Sequence, residues 1–233
     1  MNFHVMTLFP EMIEQACDYS ILKRAVGAEV ISINCINIRD FAVNKHGQVD
    51  DAPYGGGAGM VMMAPPIYDA FLSVGCPNAR FVYLSPQGKV FNQSMAAELA
   101  QEKDIIMLCG HYEGVDQRVI DFLQPEEISI GDYILTGGEL AALVIIDAVA
   151  RLISGVVGKD ESINNESFSE PLKGLLEYPQ YTRPSVFNGL EVPEVLLSGH
   201  HGQIESWRRE QSVKNTRVKR PDLYEEMLKN SSD

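Results

Sequence analysis

With 233 residues, 45% of them hydrophobic and 22% charged, the chain has the material for one large domain or two modest ones. Its longest apolar stretch, Leu140 to Ala150, is interrupted by Asp147 and falls short of the roughly 18 residues a membrane span needs. The net charge of −13 speaks against a nucleic-acid partner until its distribution is read: residues 1–158 carry 9 basic and 19 acidic side chains, residues 177–233 carry 8 and 9.

The opening MNFHVMTLFPEM has neither a basic lead nor a long apolar core, so no signal peptide is expected and a cytoplasmic chain is. FHVMTL (Phe3–Leu8) reads as a strand, and Pro10 opens a helix to about Val26. EVISINCINI (Glu29–Ile38), rich in β-branched residues, reads as a second strand. A glycine-rich loop, DAPYGGGAGM (Asp51–Met60), precedes a helix near Pro66–Val74. RFVYLS is a strand, PQGK a turn and Gln93–Glu102 a helix. DIIMLCG is a strand entering the loop HYEGVD, and EEISIG a short strand entering DYILTGGE. Helix Leu140–Ile153 follows, apolar nearly all round and therefore buried in a core or at a subunit interface. This alternation implies an α/β fold with a parallel sheet and helices on both faces.

Residues 159–176, KDESINNESFSEPLKGLL, are polar and read as a linker. The remainder looks helical, with Pro221 at a helix start. The expected division is an α/β domain over 1–158, a linker over 159–176 and a small helical domain over 177–233. In the last of these, Arg208–Arg220 carries six basic residues and one acid. Such a patch either contacts phosphates or is a solvated helix face.

Three glycine-bearing loops leave successive strand ends: Ser85–Gly88, Gly110–Gly114 and Gly131–Gly138. Ligands of open parallel sheets bind outside those carboxyl ends, and glycine lets backbone approach a ligand closely. A P-loop, a GxGxxG and a GxSxG are all missing, which disfavours nucleotide-phosphate and serine-hydrolase readings. Four scattered cysteines without a CxxC pair suggest free thiols in a reducing compartment. No metal site is expected from spacing: the adjacent His200 and His201 point apart.

TLFPEM, DDAPYGGGAGM, YLSPQGK, CGHYEGVDQRV, SIGDYILTGGE, GLLEYPQYTRP and IESWRREQS together resemble the bacterial tRNA (guanine-37-N1)-methyltransferase family over nearly the whole chain. The resemblance implies a SPOUT-class fold with a trefoil knot, an obligate homodimer with active sites at the subunit interface, and methyl transfer from S-adenosylmethionine to tRNA, with S-adenosylhomocysteine as product. It implies a donor site of Tyr83, Leu84, Ser85, Pro86, Gly110, Glu113, Ile130, Gly131, Asp132, Tyr133, Ile134, Leu135, Gly137 and Gly138. Arg151 matches the family's catalytic arginine; on spacing alone it would pair with Asp147 four residues earlier. Arg208, Arg209, Lys214 and Arg217 would grip the anticodon stem. Mg²⁺ assistance is a further implication, without a dedicated ligand cluster in the sequence.

The chain departs from the family pattern at three places. The family has an aspartate as base just before Ser-Phe, where this chain has Glu166. The added methylene changes the reach by roughly 1.5 Å, and a misplacement of about 1 Å can cost on the order of a hundredfold in rate. His111 stands where arginine is frequent, and Ser154 where proline is. Two other functions stay open at this level: a non-catalytic RNA-binding homologue, and a related methyltransferase with another RNA target.

Overall fold

A computed structural model of the chain, describing residues 1–157 and 165–230, arranges the aliphatic runs of the first part in one parallel sheet. In chain order the elements are β1 (Asn2–Thr7), α1 (Pro10–Cys17), α2 (Ser20–Gly27), β2 (Ser32–Asn37), β3 (Asp50–Asp51), β4 (Val61–Met62), α3 (Ala64–Val74), β5 (Arg80–Val90), α4 (Gln93–Leu99), β6 (Asp104–Cys109), α5 (Gln117–Leu123), β7 (Glu126–Ser129) and α6 (Glu139–Ala150). The sheet order is β2-β1-β6-β5-β7, all neighbours parallel, while β3 and β4 form a separate two-residue antiparallel ladder.

Strand periodicity sorts the side chains into two cores. Phe3, Val5, Ile105, Met107 and Cys109 face a layer built from α1, α2, α4 and α6. Met6, Ile106 and Leu108 face α3 and α5. Ile145, Ile146 and Val149 of α6 are fully buried, each contributing about 1.5–3 kcal/mol of transfer free energy. The outer face of α6 is not covered: Leu140 and Val144 are each 47% exposed.

Several expected boundaries move. The helix expected from Pro10 to Val26 is two helices, parted at Asp18–Tyr19, with Ser20 at φ +51°. The second strand begins only at Ser32. Helix α5 was not expected; its N-cap is Asp116, whose side chain accepts a 2.9 Å hydrogen bond from Arg118 N–H. The PQGK turn lies inside β5 rather than after it. Helix α6 ends at Ala150, three residues early, so Arg151 is its C-cap.

The chain divides into two compact units, Met1–Gly158 and Lys159–Asp233. The second holds the short ladder β8 (Val186–Phe187) and β9 (Leu190–Glu191), then α7 (Glu194–Leu197), α8 (His201–Lys219) and α9 (Pro221–Asn230). Of the expected linker, 159–164 lies outside the described residues; 165–176 is a run of hydrogen-bonded turns. No helix among the described residues is long and apolar enough to cross a membrane.

Candidate functional site

A cavity of about 340 Å³ opens at the carboxyl ends of β5, β6 and β7. Its first wall is an excursion of β5. Tyr83 and Leu84 pair with Glu127 and Ile128, and after the excursion Lys89 and Val90 pair with Ile128 and Ser129. Ser85–Gly88 therefore stand out of the ladder, with Ser85 Oγ accepting a 3.2 Å hydrogen bond from Gln87 N–H. The chain then returns so close to β7 that a Cβ on Gly88 would overlap the Glu127–Ile128 peptide.

The third loop closes the cavity. It leaves β7 and crosses the end of β5 to reach β6, where Gly138 N–H donates to Gly110 C=O at 2.9 Å and Gly137 bridges His111. Gly138 permits this approach: a Cβ there would lie 2.7 Å from Cys109 Cα.

Thirteen of the fourteen residues expected around the methyl donor line this one cavity: Tyr83, Leu84, Ser85, Pro86, Gly110, Glu113, Ile130, Gly131, Tyr133, Ile134, Leu135, Gly137 and Gly138. Asp132 does not; it is exposed and outside the wall. Leu84, Pro86, Ile130, Ile134 and Leu135 supply apolar patches on a surface otherwise made of polar side chains and the backbone of the glycine turns. Burial, with Glu127 second, pushes the Tyr83 phenol above its usual range, so it stays a hydroxyl. The second wall is the Gly110–Gly114 loop after β6, and the Asp51–Met60 loop is fastened to it. Glu113 N–H donates to Met60 C=O at 3.0 Å, Met62 N–H donates to Gly114 C=O at 2.9 Å, and the Glu113 side chain packs on Gly59.

Two buried polar residues to which the motifs assign no role, Glu139 and Thr7, lie beneath this wall. Glu139, 2% exposed at the start of α6, accepts from Thr7 Oγ1 at 2.6 Å and meets His111 Nε2 at 2.8 Å. The readable signal was an acid at the first position of an otherwise apolar helix, where the helix dipole favours negative charge. Arg151 lines an adjoining apolar groove along the outer face of α6, with Leu140, Leu143, Val144 and Asp147, which shares Ile130, Tyr133 and Leu135 with the first cavity.

In the second unit, Glu166 is half-buried at the start of a closed loop. Phe168 N–H donates to Leu175 C=O at 2.9 Å and Glu177 N–H to Ser167 Oγ at 3.0 Å. Leu176 ties this loop to α8, its N–H donating to Thr216 Oγ1 at 3.0 Å and its C=O accepting from Ser212 Oγ at 2.5 Å. Of the basic residues on α8, Arg209, Lys214 and Arg217 are exposed. Arg208 instead lies over the Tyr178 ring, 4.8 Å from its centroid, beside a 320 Å³ pocket walled by Tyr181 and Trp207. Arg220 pairs with Asp222 at 2.6 Å.

Comparison with known proteins converges on one family. The family model described as tRNA (Guanine-1)-methyltransferase TrmD matches residues 1–226. The tRNA (guanine-N(1)-)-methyltransferase of Clostridioides difficile (strain 630) is 55% identical over 228 residues, covering 96% of this chain and 97% of that one. The protein of the same name from Caldanaerobacter subterraneus subsp. tengcongensis is 58% identical over 224 residues, covering 96% and 91%. That of Lachnospira eligens is 52% identical over 237 residues, covering 100% and 99%. With a family match across nearly its full length, on a fold whose glycine loops gather at one sheet end, the chain belongs to the tRNA (guanine-1)-methyltransferase family.

Proposed function

We propose that this chain transfers a methyl group from S-adenosylmethionine to ring nitrogen 1 of the guanosine at tRNA position 37, beside the anticodon, in the cytoplasm. The observation that carries the reading is the single cavity to which three separate loops contribute. Its volume suits a nucleoside-sized ligand. Its backbone amides and carbonyls match an adenine edge and a ribose, and its apolar walls match the adenine faces. The donor supplies an electrophilic methyl group when bound; Tyr83–Pro86, Gly110, Glu113, Ile130, Gly131 and Tyr133–Gly138 would hold it.

The chain's own residues must then handle one proton and one charge. Ring nitrogen 1 offers its lone pair only after losing its proton, and we assign that proton to the Glu166 carboxylate. The negative charge that develops on the guanine carbonyl oxygen is assigned to the Arg151 guanidinium. Arg209, Lys214 and Arg217 supply phosphate contacts, with Arg208 partly occupied by Tyr178. We read 1–158 as the donor-binding domain, 159–176 as the linker and 177–233 as the tRNA-binding domain. The first is assigned a SPOUT trefoil knot, a reading supported by the third loop crossing β5 to pair with β6. A homodimer accounts for Leu140 and Val144, apolar and exposed on α6.

The test is transfer of tritiated methyl from S-adenosylmethionine to unmodified tRNA, with a transcript lacking guanosine 37 as control. The expected result is label confined to the first transcript and recovered as 1-methylguanosine. No label, as for a non-catalytic binder, or label on ribosomal RNA instead, overturns the proposal.

A further inference from the structure

A second cluster of chemistry-bearing side chains lies at the other end of the sheet. His4 is on β1 and Asp104 opens β6, paired opposite Asn2. Strand alternation puts Asn2, His4 and Asp104 on the face that also carries Met6 and Ile106, the face covered by α3. Cys76 follows Gly75, the left-handed C-cap that ends α3 and turns the chain back toward the sheet. The His4 Nε2 lies 3.3 Å from Asp104 Oδ1 and 3.8 Å from Cys76 Sγ, and all three donor atoms are within 4.8 Å of one another.

A Cys–His–Asp relay needs opposite ring nitrogens to meet the thiol and the carboxylate. Here the same Nε2 faces both, so the three groups converge on a point instead of forming a chain. Tetrahedral zinc bonds to imidazole, carboxylate and thiolate put nitrogen and oxygen roughly 3.3 Å apart, and sulfur and nitrogen roughly 3.6 Å apart. Both observed separations fall within a few tenths of an ångström of those values. The carboxylate is also held in place. Asn2 Nδ2 donates to Asp104 Oδ1 at 2.7 Å, and Asn2 Oδ1 accepts from Ser32 Oγ at 2.7 Å. Outer contacts of this kind orient a metal ligand. The His4 and Asp104 side chains are 13% and 18% exposed, so the cluster is reachable from solvent.

We propose that His4, Cys76 and Asp104 bind a zinc-like divalent cation that fastens the end of α3 to the amino ends of β1 and β6. The site is remote from the donor cavity: β6 alone separates the two sheet ends by roughly 16 Å. Its role is structural, and it stands whether or not the methyl-transfer reading does.

The experiment titrates untagged, chelator-treated full-length protein with Co²⁺, then with Zn²⁺. One equivalent of Co²⁺ is expected to give thiolate-to-cobalt charge-transfer absorption with intense four-coordinate d–d bands, and Zn²⁺ to displace it. Cys76→Ser should abolish the charge-transfer band, and Asn2→Ala should weaken zinc binding by about 10- to 100-fold. On the unaltered protein, mass-spectrometric mapping should show Zn²⁺ protecting Cys76 from iodoacetamide and a chelator reversing that protection; this decides the matter even if a variant fails to fold. No charge-transfer band at one equivalent, a band that persists in Cys76→Ser, or alkylation of Cys76 at the same rate with Zn²⁺ overturns the site.

Discussion

The His111 Nε2 lies 2.8 Å from one oxygen of the Glu139 carboxylate, whose other oxygen accepts a 2.6 Å hydrogen bond from Thr7 Oγ1. One buried acid thereby ties the end of β1, the loop after β6 and the start of α6. Thr7 Oγ1 also accepts from Phe9 N–H at 2.9 Å, so the turn out of β1 depends on the same group. Glu139→Ala leaves a buried hydroxyl and a mostly buried imidazole without their acceptor. It should destabilise the first unit by about 2–3 kcal/mol in urea denaturation. It should also weaken S-adenosylmethionine binding by calorimetry, because Gly137 and Gly138 are set by the helix start. Glu139→Gln keeps an acceptor for Thr7 and should lose less of both.

Gly138 tests whether the cavity depends on backbone approach. An added methyl would meet Cys109 Cα at 2.7 Å and Gly110 N at 3.1 Å, and neither is a flexible side-chain end. Gly138→Ala should therefore part the third loop from β6 and weaken donor binding at least about tenfold, or about 1.4 kcal/mol. Gly27, in α2, has nothing within 4 Å of its virtual Cβ. Gly27→Ala should stabilise the protein by about 0.4–1 kcal/mol and leave donor binding unchanged. Equal donor affinity in both variants would show that the close approach is not what shapes the cavity.

The contrast between these positions shows what the sequence could express. The parallel sheet was legible because each strand is a short aliphatic run, and the glycine loops followed at predictable strand ends. The pairing of Gly138 with Gly110 was not, since it requires one loop to cross a strand that is adjacent only in space. Helix α5 was readable in principle: Asp116 before QRVIDFL is an N-cap signal. The break after α1 carries no proline or glycine, so nothing local announced it. Cys76 and Asp104 lie 72 and 100 residues after His4; sheet register brings Asp104 beside it and the end of α3 brings Cys76.

A buried and a half-buried thiol give the protein an alkaline limit. Burial, with Asp147 second, raises the Cys17 thiol from its usual 9.0 to about 11; burial, with Glu14 second, raises Cys35 to about 12. Folded values above the unfolded one mean that the folded state holds these protons more tightly. The stability they contribute is complete below pH 9 and is lost as pH rises through 11 to 12. Urea midpoints should fall between about pH 8 and about pH 10.5, and fall less steeply in a Cys17→Ala, Cys35→Ala variant. An unchanged slope would place the alkaline loss on other groups.

The catalytic assignment stands or falls on Glu166 and Arg151. If Glu166 takes the guanine proton, Glu166→Ala should lower single-turnover methyl transfer by about 10²- to 10⁴-fold. Donor affinity should not move, because Glu166 is outside the cavity wall. Glu166→Asp keeps the carboxylate and shortens its reach by roughly 1.5 Å, so it should retain far more activity than alanine. Its rate relative to the unaltered chain reports how well the hydrogen-bonded loop from Ser167 to Glu177 accommodates the longer acid. Arg151→Ala should lower the rate with donor affinity likewise intact, since the carbonyl charge arises only in transfer. Arg151→Lys should recover little, because an ammonium lacks the planar fork of the guanidinium. Unaltered turnover in Glu166→Ala would remove that residue from the chemistry and return it to the role of a half-buried loop acid.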